Sequence, residues 1–246
     1  HAAGQLPQAA ALATELTRRM PDHVLPWKVL GSIVQGAGRL QEAQQCLESA
    51  LKLAPDDAEV NNMLGRVYLS QGRLEPAQAC FGKAVALQPK MASAWGNLGM
   101  VLHARGDIRG AEARFRHAVD LDPNNPQNLA NLGSSLRAQR RSAEARDCFE
   151  RLVPIAPQAA EVHCTLGLMY IEARLWNQAE ESLRQAIALQ PQMSQAHDGL
   201  GVALEAKKQL SEAEASCRRA LAIAPQNPIC LGHLGSILSA AGRLKE

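Results

Sequence analysis

The sequence predicts an all-α solenoid of antiparallel helix pairs, and three observations carry that expectation. Pro21, Pro55, Pro89, Pro123, Pro157, Pro191 and Pro225 recur every 34 residues without insertion or deletion. A Leu-Gly pair keeps the same period, from Leu30-Gly31 to Leu234-Gly235. Only 3% of residues are aromatic although 46% are hydrophobic, so the core must be built from Ala and Leu, which suits close-packed helices better than a sheet. A fixed period of this size along 246 residues marks a repeat array rather than one large core.

Each period resolves into two helices. In the first, Trp27, Leu30, Gly31 and Val34 fall on one helical stripe. The glycine lets a second helix approach closely. That second helix is expected over Leu40–Leu53, where Ala43, Leu47 and Ala50 share a face, and Pro55 stands just past its end. The large-residue column continues as Phe81, Phe115, Phe149, Leu183 and Cys217. One pair is too small to bury its own apolar face, so neighbours must stack into a continuous core.

The turn between the helices carries Gly38, Gly72 and Gly106, with Gly4 in register before them. Arg140, Arg174 and Lys208 take that place before Gly242 restores it, so those turns are expected to differ in shape. Pro154 falls in the last turn of its helix, which is expected to end or bend near Val153 and to make residues 140–157 the softest joint. The final helix, Pro228 to Ala241, has no second helix after it, so Leu234, Ile237 and Leu238 are expected to expose apolar surface and to support weak self-association.

The spacing W-x-x-L-G-x-x-V, followed by A-x-x-x-L or A-x-x-x-F and then Pro, resembles the tetratricopeptide repeat (TPR). The resemblance implies a right-handed superhelical solenoid with six full repeats at 24–57, 58–91, 92–125, 126–159, 160–193 and 194–227. Residues 4–23 would supply the second helix of a partial repeat and 228–246 the first helix of another, as in a fragment of a longer chain. A narrower likeness rests on Pro21, His23, Trp27, Lys28, Val29, Leu30 and Gly31. These are similar to the leading repeats of bacterial TPR proteins whose arrays precede a SPINDLY-type O-GlcNAc-transferase-like or a sulfotransferase-like domain. In the O-GlcNAc transferases an asparagine ladder stands before the Leu-Gly pair. Asn97 and Asn131 match it, whereas Val29, Met63, Thr165, Gly199 and His233 do not.

In TPR arrays the stripe opposite the packing face of each first helix lines a concave groove. Here it carries Lys28, Glu59, Asn62, Arg66, Met100, His103 and Arg137, with Asn97 and Asn131 beside it. It continues as Glu161, Cys164, Leu168, Glu172, Asp198 and Glu205. Mixed polar, small and aliphatic residues suit an extended peptide or a partner helix. The resemblance therefore implies a non-catalytic protein- or peptide-binding scaffold. The alternative is the substrate-recruiting arm of a bacterial O-GlcNAc-transferase-like or sulfotransferase enzyme. Bases dominate the stripe in the first four repeats and acids in the last two, a layout expected to orient a charged ligand. The carboxylate clamp of chaperone-binding TPRs is not expected: only Lys28 fits it, and Ser32, Met63, Ser93 and Asn97 stand where it needs Asn, Asn, Lys and Arg.

Other functions lack residues to carry them. A net charge of +2 leaves no polybasic footprint for nucleic acid, and no run approaches the ~18 apolar residues of a membrane span. A cytoplasmic location is expected. The six cysteines include no C-x-x-C, and Cys46, Cys80 and Cys148 share a repeat column whose spacing is too wide for disulfides, so reduced thiols are expected. His163, Cys164, His197 and Asp198 could converge on a metal, but both histidines replace Trp in a packing column, which is the preferred reading. There is no phosphate loop, nucleophile elbow or H-E-x-x-H, and neither cofactor nor catalysis is expected.

Overall fold

The computed structural model describes residues 2–243, with side chains from residue 8 onward. Among these the chain forms fourteen α-helices and no strand. After α1 (Ala2–Arg19) come first helices of 13 residues each: α2 (Val24–Gly36), α4 (Ala58–Ser70), α6 (Ala92–Ala104), α8 (Pro126–Ala138), α10 (Ala160–Glu172), α12 (Ser194–Ala206) and α14 (Pro228–Ala240). Between them lie second helices of 14 residues each: α3 (Leu40–Leu53), α5 (Leu74–Leu87), α7 (Ile108–Leu121), α9 (Ser142–Ile155), α11 (Trp176–Leu189) and α13 (Leu210–Ile223). The expected all-α class and the 34-residue helix-pair register are what the chain adopts. The chain divides into two compact units, one ending at Ser135 and the other starting at Leu136. No described helix is long and apolar enough to cross a membrane.

Packing within each unit follows the glycine column. A Cβ on Gly65 would lie 2.7 Å from the Phe81 ring, and one on Gly99 would lie 2.6 Å from the Phe115 ring. Phe81 and Phe115 are buried. In the second unit, Gly167 meets Leu183 and Gly201 meets Cys217 in the same way. Alanines at 43, 77, 111, 179 and 213 are fully buried, so the second helix presents a small residue where the backbones approach. In the first unit, one core gathers Leu30, Val34, Leu47, Val60, Leu64 and Val67, and another gathers Phe81, Val85, Leu98 and Val101. In the second, Leu183, Leu200, Leu204, Cys217 and Ile237 form one cluster.

The inter-helix turns keep a single shape, contrary to expectation. Arg140, Arg174 and Lys208 adopt φ of 60°, 58° and 64°, beside 73–84° at Gly38, Gly72 and Gly106. Each makes the same pair of bonds. Gly72 N–H donates to the Leu69 carbonyl and Arg73 N–H to that of Tyr68; Lys208 N–H donates to that of Glu205 and Gln209 N–H to that of Leu204, all at 2.9 Å. This Schellman geometry satisfies the last carbonyls of the first helix, and its two bonds hold a non-glycine residue in the left-handed region. Gly4 is different. It lies inside α1.

Two further expectations need correction. Helix α9 does not end near Val153 but runs through Pro154 to Ile155, the full length of its counterparts. Pro154 cannot donate to the Glu150 carbonyl, yet Ala156 N–H still caps the Leu152 carbonyl at 2.8 Å. At the other end, Ile237 and Leu238 are buried and Leu234 packs against the same cluster as Ile237. The helical stripe facing α12 and α13 holds them, and the exposed apolar residues of α14 are Ile229 and Leu231 instead.

Lys208 is exposed, so its strain is not offset by side-chain packing. Lys208→Gly should raise the unfolding free energy by about 0.5–1 kcal/mol, the left-handed strain less the extra freedom of the unfolded chain. Denaturant melts with an unchanged or lowered midpoint would show the turn to be unstrained. For Pro154, amide exchange over residues 150–157 should outpace that over 82–89, the matching stretch of α5. Equal rates would show that the missing bond leaves no soft joint.

Candidate functional site

The face opposite the packing stripe is set up by a polar column at its edge. Trp27 Nε1 donates to the Pro21 carbonyl and Trp95 Nε1 to that of Pro89, both at 2.8 Å. In the second unit His163 and His197 place Nε2 3.0 Å from the carbonyls of Pro157 and Pro191. Asn61 makes the corresponding contact to Pro55 at 3.3 Å. Two tryptophans, an asparagine and two histidines thus do one job: each ties the start of a first helix to the turn before it. Both histidines are thereby committed to packing, and no described cluster of three His, Cys, Asp or Glu side chains is placed to hold a metal.

On the first unit's face, three depressions run along α4, α6 and α8. One of about 400 Å³ is lined by Gln35, Glu59, Asn62 and Arg66 among others, and Asn62 and Arg66 also line a second of about 430 Å³. Asn97, Met100 and Asn131 complete much of that second wall. Met100 and Asn131 then continue into a third, of about 200 Å³, with His103. The structure therefore gathers seven residues singled out in the sequence: Glu59, Asn62, Arg66, Asn97, Met100, His103 and Asn131. Asn97 Nδ2 donates to Asn62 Oδ1 at 2.9 Å, linking neighbouring first helices. Lys28 stands apart. It pairs with Glu59 and, at 3.5 Å, with Asp57, so its charge is already neutralised.

Asn125 and Asn128 also line the middle depression, and the stripe did not include them. Asn128 occupies a column that is otherwise Pro26, Val60, Ala94, Val162, Ala196 and Cys230. An amide in an apolar column was the available signal. Its place depends on Gly96, where a Cβ would lie 2.3 Å from Asn128 Oδ1.

The matching face of the second unit is acidic. Glu161 and Glu172 are exposed, and Glu205 is partly so and accepts from Ser236 at 2.7 Å. Asp198 is buried, and both its oxygens lie 3.0 Å from His233 Nδ1. This bridge falls at the same repeat position as Asn62–Asn97 in the first unit. Cys164 is buried in the core and Leu168 packs against it, so neither offers much surface to a ligand. Arg137, at the end of α8, is exposed.

Models of the tetratricopeptide repeat match residues 34–99, 102–166 and 164–228. Among solved structures, the chain is similar to pilF of Pseudomonas aeruginosa, with TM-score 0.77, 17% identity, and 87% of this chain and 97% of that one covered. It is also similar to YrrB, described as a TPR protein with an unusual peptide-binding site, with TM-score 0.71, 20% identity and coverages of 77% and 98%. A chain of the APC/C hetero-tetramer Cut9-Hcn1 gives TM-score 0.71 at 18% identity, with 96% of this chain aligned; this chain spans 47% of that one. At these identities the likeness concerns the fold. No curated protein sequence matches the chain. The comparisons reach the repeats and add nothing to the narrower likeness to O-GlcNAc-transferase-like or sulfotransferase arms.

The thiols are arranged for packing. All six cysteines are free, and five are buried, with Cys80 between buried and exposed. Burial, helped by Glu161, pushes the Cys164 thiol up to about 11; burial, helped by Asp198 among others, pushes that of Cys217 to about 12. At neutral pH they are protonated and poor nucleophiles. In the folded protein at pH 8, iodoacetamide should modify Cys80 first, and the other five only at the rate of unfolding. Rapid labelling of Cys164 or Cys217, read by peptide mass spectrometry, would contradict this placement.

Proposed function

The chain belongs to the tetratricopeptide repeat family, and on that premise we propose that it is a non-catalytic scaffold binding an extended peptide or protein segment. The observation that carries the reading is the row of three connected depressions along α4, α6 and α8, whose walls include amides, one guanidinium and three methionines. A row of this kind offers hydrogen bonds to a main chain and small apolar contacts to its side chains. YrrB, a fold relative, is described as having a peptide-binding site, which is in keeping with that use of the fold.

Charge differs between the two units, and each suits its own kind of ligand residue. Arg66 on the first unit and Arg137 at the start of the second suit acidic ligand residues, while Glu161, Glu172 and Glu205 suit basic ones. Lys28 and Asp198 contribute less than their sequence positions imply, since each already has a partner. The alternative reading, a substrate-recruiting arm of a transferase, draws only on Asn97 and Asn131 for its ladder, and Asn97 is turned toward Asn62. Self-association belongs to the account only through Ile229 and Leu231 of α14.

Affinity capture followed by interaction kinetics tests the scaffold. Reversing Arg66 and Arg137 together to Glu should slow association with the captured partner about tenfold in low salt, and less at physiological ionic strength. A double variant that binds as quickly as the unaltered protein in low salt would remove these charges from the binding face.

A further inference from the structure

The middle depression of the first unit is unbalanced in its hydrogen bonding. Asn128 is 3% exposed, and its Nδ2 has no acceptor; Asn131 Nδ2 is also buried without one. Buried donors left in this state are uncommon and costly, and they are a frequent mark of a missing partner. The neighbouring amides are already engaged, Asn97 with Asn62 and Gln127 with the Asn131 oxygen at 3.0 Å. Arg66 on the same wall is exposed, with no carboxylate partner among the described residues. No acidic side chain lines this depression.

The missing partner must therefore be an acceptor, and its charge is decided by Arg66. A neutral carbonyl would satisfy the amides but leave the guanidinium uncompensated, and an ammonium would be repelled. A carboxylate satisfies both, because its two oxygens can take the guanidinium as a fork and still accept from an amide. About 430 Å³ is ample for one acidic residue and its flanking main chain.

We propose that this depression is a carboxylate site, in which Arg66 holds the anion and Asn128 and Asn131 complete its hydrogen bonds. Both residues line the depression, so their unpaired N–H groups belong to its wall. Gly96 is part of the device: it leaves the space in which the Asn128 amide sits. The carboxylate comes from an Asp or Glu side chain or from a free chain end of the bound peptide. The inference rests on the peptide-binding reading above and specifies what that face selects.

The test is titration of the whole isotopically labelled chain, followed through its Asn side-chain amide resonances. The probes are three synthetic peptides: acetyl-Gly-Ser-Ala-Glu-Ala-Ser-Gly-amide, the same peptide with Gln for Glu, and an acid-free peptide with an unblocked C-terminus. The Glu peptide should shift the Asn128 and Asn131 amides and bind at least tenfold tighter than the Gln peptide. Arg66→Gln, at an exposed position, and Gly96→Ala should each abolish that tenfold preference, with helicity confirmed by circular dichroism. Binding of the third peptide at the same amides would assign the carboxylate to a chain end, and its failure there would assign it to a side chain. Equal binding of the Glu and Gln peptides would overturn the carboxylate site while leaving the peptide-binding face intact. If neither peptide shifts any resonance of the first unit, the carboxylate site is likewise refuted, and the scaffold reading stands or falls on partner capture.

Discussion

In five of the helix pairs, a large side chain of the second helix occupies space that a Cβ on the first would need. Leu47, Phe81, Phe115, Leu183 and Cys217 press against Gly31, Gly65, Gly99, Gly167 and Gly201. The contact fixes how near the two backbones come and the register at which they cross. It also decides which face of the first helix is left over. Once Trp27, Leu30, Gly31 and Val34 are turned toward the second helix, the residues about half a turn away must face outward. The candidate binding face is thus a by-product of packing, and apart from positions such as Cys164 and Leu168, which join the core, its composition is free to vary.

That freedom is visible in what the face holds. At one recurring position, neighbouring first helices are bridged by Asn62 and Asn97 in the first unit and by Asp198 and His233 in the second. A neutral amide pair in one place and an acid–imidazole pair in the other satisfy the same geometry with different charge. At the opposite edge, Trp, Asn and His donors reach the same proline carbonyl. The scaffold asks for a donor or a bridge, and the side chain that supplies it then sets the local chemistry.

The helix pairs were legible in the sequence because their causes are local and periodic. Proline ends the second helix, glycine admits it, and alanine lines it, each every 34 residues. The turns at Arg140, Arg174 and Lys208 do not follow from residue type alone, because two backbone bonds hold each turn shut against the left-handed penalty. The expected exposure of Ile237 and Leu238 turns on a second helix after α14, whereas α12 and α13 already cover the side of α14 that holds them. The face itself was only partly legible. Asn62, Arg66, Asn97 and Asn131 could be picked out by register, but the neutralisation of Lys28 depends on Asp57 at the end of its own repeat and Glu59 at the start of the next. The role of Asn128 depends on a glycine 32 positions earlier. Such pairings follow from three-dimensional closeness, which periodicity alone does not rank.

The account stands most directly on the glycine contact, and one substitution made at two places tests it. Gly82 lies within α5, and a Cβ there would meet nothing within 4 Å, whereas a Cβ on Gly99 would meet the buried Phe115 ring at 2.6 Å. By helix propensity alone, Gly→Ala stabilises both sites by about 0.5–1 kcal/mol. Urea unfolding of the two variants should instead give opposite signs: Gly82→Ala raised by about that amount, and Gly99→Ala lowered by about 1–3 kcal/mol through overpacking. If Gly99→Ala proves as stable as Gly82→Ala, the glycine notch does not set the helix pairing, and the account of both the fold and its outward face is wrong.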